Sequence, residues 1–201
     1  MSFIVFVSES EITEFRKNWP ASNLPTDGGI RFEFDSKDGD LVDITLTNGA
    51  DSSDHDGVAL HALSRDAQEL TIGHEVFPRG DIMRAAMKKS EFLTAYIEAM
   101  FFTDGSSDED ELNGKTVDDM SFDFVTRAIK DCAIFETAHD REIDSAYMSA
   151  GHDFWLTRNG HGAGFWDGDW PKDEGERMTA TSKAFGETNV YVGDDGLIYA
   201  M

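Results

Sequence analysis

Between Gly151 and Trp170 the chain reads GHDFWLTRNGHGAGFWDGDW, with two histidines, three aspartates, one arginine and five glycines. Asn159-Gly160 is its strongest local signal, because both central residues of a type I′ hairpin turn take positive φ. Read as a two-residue loop, it sets Arg158 opposite His161, Leu156 opposite Ala163, Phe154 opposite Phe165 and His152 opposite Asp167 on one face. The other face pairs Thr157 with Gly162, Trp155 with Gly164 and Asp153 with Trp166. Gly162 and Gly164 then leave room for the Trp155 ring, and Phe154 with Phe165 forms a cross-strand aromatic pair. Hairpin packing therefore accounts for most of the stretch.

Its polar remainder defines the candidates for chemistry: His152, His161 and Asp167. A histidine beside a carboxylate is how a general base or a metal ligand is oriented. A metal site needs three or four converging ligands, and this register puts the two histidines at opposite ends of the hairpin, so no metal and no cofactor is expected. The sequence has no HExxH, GxSxG, P-loop or cysteine cluster, and Cys132 falls at an apolar helical position. Catalysis is the weaker expectation.

Outward from this stretch, residues 174–185 read as a helix ended by Gly186, and 190–199 as a second hairpin turning at Gly193-Asp-Asp-Gly196. Upstream, a long helix is expected over 121–139 with Phe124, Ala128, Cys132 and Phe135 as its seam. Helices are also expected over 81–89 and 91–102, the second presenting Phe92, Ala95, Tyr96, Ala99 and Met100. Near the start, 2–7 reads as a strand, and Ser8 with Glu11 as a capping box opening a helix that Pro20 stops. A hairpin follows over 30–46, then a polar loop over 47–57 and a helix over 58–70. Asp51, Asp54 and Asp56 crowd that loop but lack the alternation and closing glutamate of an EF-hand. Pro78 and Gly80 break the pattern between 72 and 80. The expected fold class is α+β. A β-α-β-β-α module over 1–75 precedes a module over 76–201 that starts helical and ends hairpin, helix, hairpin, and the two modules can share one core. The C-terminal hairpins are expected to form one antiparallel sheet under the 121–139 helix.

Charge is the strongest functional signal. Forty Asp and Glu against 17 Lys and Arg give a net charge of −23 over 201 residues. The excess is spread: 15 acids against 5 bases in 1–75, and 25 against 12 in 76–201. Such a chain repels nucleic acid and anionic membrane, so direct binding to either is not expected. With 15 Phe and 4 Trp it can still bury a core. No apolar run is long enough to span a bilayer, and a charged stretch followed by an apolar one is not read near the start, so export is not expected, while the single cysteine suits a reducing cytoplasm. Three explanations of the charge compete. It can serve solubility; it can reflect adaptation to high salt, which 25 Asp, 15 Glu and only 8 Lys would suit; or its carboxylates can imitate DNA phosphates before a basic protein groove.

The segments AGHDFWLTRNGHGAGFWD, SKAFGE and YVGDDGLIY make the chain resemble, over residues 90–200, a family of small bacteriophage and prophage proteins without an established activity. The resemblance assigns no catalytic role to His152, Asp153, Arg158, His161 or Asp167. It implies an accessory gene of a phage or mobile element acting in the cytoplasm of a bacterial host, and it weakens the high-salt explanation. Joined to the charge, it favours a counter-defence inhibitor of the anti-restriction or anti-CRISPR type. The expected partner is a host protein with a basic nucleic-acid-binding surface, such as a nuclease or a restriction or CRISPR effector. The acids expected to meet it are Asp104, Asp108, Glu109, Asp110 and Glu111, with Asp35, Asp38, Asp40, Asp51, Asp54 and Asp56 second. Two alternatives are a small hydrolase or nucleotide-processing enzyme built on the 151–170 hairpin, and a module that recognises a host protein through exposed Trp166 and Trp170.

Overall fold

A computed structural model describes residues 2–7, 29–37, 40–49, 69–72, 75–105 and 111–201, with side chains over 79–105 and 111–201. The expected helix after Ser8, most of the 58–70 helix, and Asp38, Asp51, Asp54, Asp56, Asp108, Glu109 and Asp110 lie outside these residues. Strands β1 (Ser2–Val7), β2 (Gly29–Lys37) and β3 (Asp40–Gly49) pair antiparallel in the order β1-β2-β3. The β2–β3 register shifts between Asp35 and Ser36, a bulge just before the turn. β4 (Glu69–Ile72) pairs with β5 (Glu75–Pro78), so Leu70 lies in a strand instead of ending a helix. This hairpin spans the expected division between residues 75 and 76.

The rest of the described chain is mostly helical. Helices α1 (Arg79–Lys89), α2 (Glu91–Asp104), α3 (Phe122–Ala138), α4 (Asp140–Ile143), α5 (Tyr147–Arg158) and α6 (Lys172–Ala184) precede a two-stranded antiparallel hairpin, β6 (Val190–Val192) and β7 (Ile198–Ala200). Local chemistry sets several boundaries. Ser90 and Ser121 cap α2 and α3, their hydroxyls accepting from the backbone N–H of Leu93 and Phe124. Pro171 stands immediately before α6, and Gly186, at φ +75°, follows its end.

The 151–170 hairpin does not form. Residues 147–158 are helix α5, and the chain returns through an irregular loop to Pro171. Asn159 has φ −97° and ψ 6°, incompatible with a type I′ turn, while Gly160 alone takes positive φ, at +70°. His161 N–H donates to the Leu156 carbonyl (3.0 Å) and Gly160 N–H to that of Thr157 (3.4 Å). This is the Schellman arrangement of a helix end, which needs one left-handed residue, commonly glycine. Asn-Gly satisfies a helix terminus as readily as a hairpin. Accordingly no single C-terminal sheet forms: β6 and β7 stand alone, tied to the start of α3 by Ser121 N–H donating to the Ile198 carbonyl (2.9 Å).

The core lies where α2, α3 and α5 meet. Phe135 of α3 stacks on Phe154 of α5 with centroids 4.3 Å apart, and on Phe92 of α2 and Phe165 at 5.6 and 5.5 Å. Each such ring, fully buried, contributes roughly 1.5–3 kcal/mol. The helices α2 and α5 approach at Gly151, where an added Cβ would lie 2.0 Å from the Phe92 carbonyl oxygen. Arg158, the last residue of α5, is buried among Tyr96, Phe154 and Phe185. Its guanidinium donates to Asp131 Oδ2 (2.9 Å), Tyr96 Oη (3.0 Å) and the Gly186 carbonyl (3.0 Å), fastening the end of α5 to α3, α2 and the end of α6. No described helix is long and apolar enough to cross a membrane.

Candidate functional site

The close packing of α2 on α5 opens a groove on the outside of the pair. From α2 it receives Ala95, Glu98, Ala99 and Phe102, which fall at i, i+3, i+4 and i+7 and so share one helical stripe. From α5 come Met148, Ser149, His152 and Asp153, and from the returning loop Asp169 and Trp170. The groove is open to solvent and has a volume of about 640 Å³. Ala95 and Ala99 lie buried at its floor, while Phe102 and Met148 stand 70% and 44% exposed beside it.

Its electrostatics are one-sided. Glu98, Asp153 and Asp169 border the groove, and no lysine or arginine lines it among the described residues. Asp153 accepts a hydrogen bond from the Trp170 indole N–H (2.7 Å), which fixes the ring against α5. Burial raises the Asp153 carboxyl above its ordinary range, the Trp170 bond opposes the shift, and the Asp167 charge adds to it. Helix α2 ends beside the groove with Asp104 and no base in its last turn, so the negative end of its dipole adds to the carboxylate field.

The structure separates the proposed catalytic residues. His152 lies on α5, half exposed, with Nδ1 3.7 Å from Asp153 Oδ1. His161 follows the other end of the same helix and does not line the groove. Asp167 is a turn residue: its carboxylate accepts from the backbone N–H groups of Gly164 (3.3 Å) and Asp169 (3.4 Å). Cys132 is buried, and burial first, then Asp131, raises its thiol well above the usual value, the reverse of an activated nucleophile. No cluster of three metal-ligating side chains occurs among the described residues.

The expected partner-binding acids fall in different places. Asp104 closes α2, half buried, and accepts from Thr103 Oγ1 (2.6 Å). Glu111 is exposed, and its carboxylate accepts from the Val192 N–H (3.3 Å). Asp35 pairs with Asp43 across β2 and β3, and Asp40 with Lys37 next to the turn. Trp166 is 55% exposed. It lines a second depression, shared with Trp170, that carries Lys172 and Lys183 beside Glu176 and is electrostatically mixed. Glu98, Phe102, Met148 and Asp169 escaped the sequence reading. The sequence reading presented Phe92, Ala95, Tyr96, Ala99 and Met100 on α2, which is its buried face, and the partner stripe appears only once 147–158 is a helix.

Comparison with family models, curated proteins and solved structures finds no match to the chain.

Proposed function

We propose that the chain is an accessory protein of a phage or mobile element whose acidic surface occupies the basic nucleic-acid-binding surface of a host defence protein, a nuclease or effector of the restriction or CRISPR type. The observation that carries this reading is how the described charges are disposed. Six described bases pair with acids, Arg84 with Asp81 and Asp118, Lys115 with Asp119, Arg127 and Arg158 with Asp131, Lys172 with Glu176, and Arg177 with Glu142, while Lys88, Arg141 and Lys183 stand exposed. Glu98, Asp123, Asp169, Asp173 and Asp194 are exposed, and their side chains make no ion pair with a described residue. What faces solvent is thus biased further toward carboxylate, the field that steers an acidic protein onto a cationic groove.

Capture from a bacterial lysate on the tagged protein, eluted in a salt gradient and challenged with duplex DNA, tests the reading. Nucleic-acid-binding proteins released by moderate salt and displaced by DNA are the expected result. Partners that resist both salt and DNA overturn it. The exposure of Trp166 supports a second reading, recognition of a host protein through apolar contact, in which Trp166→Ser abolishes a salt-resistant interaction.

A further inference from the structure

We infer that the groove between α2 and α5 is an anchor site for an arginine side chain carried by a basic segment of the partner protein. This rests on the reading above and specifies where on the chain a basic partner is held. Two independent features of the groove converge on that occupant. Its border is anionic, with Glu98, Asp153 and Asp169 and no described lysine or arginine. Its walls are apolar, with Phe102 and Met148 exposed and the Trp170 ring held edge-on by Asp153 and Phe165. An arginine matches both at once, since its methylene stem packs on apolar surface and its planar guanidinium stacks on aromatic rings and forks onto carboxylates. A neutral apolar ligand would leave the carboxylates desolvated without a counter-charge, and an anion would be repelled. The volume, about 640 Å³, accommodates the side chain with its flanking backbone.

The test titrates the full chain into a fluorescently labelled nonapeptide of alternating arginine and serine at low salt. Three variants are compared, each checked for native helicity: Phe102→Ser, the double variant Glu98→Gln with Asp169→Asn, and the charge-matched double variant Glu187→Gln with Asp194→Asn. Glu187 precedes Thr188, which bonds to Asn159 at the far end of α5, and Asp194 sits in the β6–β7 turn, so the last variant changes net charge away from the groove. Phe102→Ser and the groove double variant are expected to weaken binding about tenfold each, and the distant pair less than about twofold. Equal weakening by the two charge-removing variants overturns the groove and leaves the acidic-surface reading standing. So does loss on removing Glu98 and Asp169 with none on removing Phe102. Absence of binding by the unsubstituted chain also overturns the groove, and the broader reading is then decided by the DNA-challenged capture.

Discussion

Two chain reversals in the C-terminal half carry similar turn chemistry and end differently. At Gly193–Gly196 the chain makes a true hairpin, closed by Gly193 N–H donating to the Leu197 carbonyl (2.8 Å) and flanked by the Val192–Ile198 and Tyr191–Tyr199 pairs. At Asn159-Gly160 it ends a helix. The flanks decide. On both sides of the first turn lie β-branched or aromatic residues able to pair. Before the second, residues 154–158 are all buried, a continuous run that a strand with one solvated face does not bury but a helix wedged among others does. After it, Gly162 and Gly164 offer no side chains with which a partner strand could pack. An asparagine-glycine step thus specifies a left-handed residue and a reversal, not the structure that is reversed.

The comparison breaks most severely at Arg158. Arg158→Met leaves Asp131 and the Tyr96 hydroxyl without their buried cation and is expected to cost about 3–5 kcal/mol, read as a lower denaturant midpoint at unchanged slope. Tyr199→Phe at the hairpin, which removes one part-buried hydrogen bond to Asp195 and leaves no buried charge unpaired, should move the midpoint far less. Gly151→Ala comes next. It drives a methyl group toward the Phe92 carbonyl and should cost about 1–3 kcal/mol, whereas the close approach in the hairpin, at Gly193, is to the side chains of Asp195 and Tyr199 and not to backbone. Gly160→Ala and Gly196→Ala place a Cβ at φ +70° and +81°, and each should lose about 1 kcal/mol. Their signatures should differ, the first in helical far-ultraviolet ellipticity and the second in the near-ultraviolet tyrosine signal.

The smallest effect concerns a third reversal, His139 at the end of α3. Burial lowers its pKa, and the nearby Glu142 opposes the shift, so the folded chain holds the ring neutral while the unfolded chain protonates it in the usual histidine range. A depressed histidine pKa makes the unfolded state bind more protons, so stability is lost as pH falls below that range and is regained above it. The melting temperature should therefore drop slightly between about pH 7 and pH 5.5, and His139→Gln should flatten that part of the profile.

How legible the molecule was in its sequence follows the same contrast. The α3 seam of Phe124, Ala128, Cys132 and Phe135 was readable, and all four residues are buried. So were the β6–β7 hairpin and the helix ended by Gly186. In each, periodicity and boundary residues agree. The quoted stretch misled because its first helical turn, from Tyr147, lies outside it and because Asn-Gly fits two structures. The error reached the site: a hairpin sets His152 opposite Asp167, whereas the helix sets it beside Ser149 and Asp153 in a groove whose other wall is α2. The close approach of the two helices depends on a missing Cβ at Gly151, and spacing within a single segment does not reveal a contact between residues as far apart in the chain as Phe92 and Gly151.

Both the groove and the dispersal of the candidate catalytic residues rest on α5 being a helix that ends at Arg158 and is terminated by the left-handed Gly160. Measurement of ¹³Cα secondary shifts over residues 145–171 tests this directly. Uniformly positive shifts over 147–158, giving way to irregular values from 161 onward, are the predicted result. Negative, strand-like shifts on both sides of Asn159-Gly160 would restore the hairpin, remove the groove, and bring His152 back opposite Asp167.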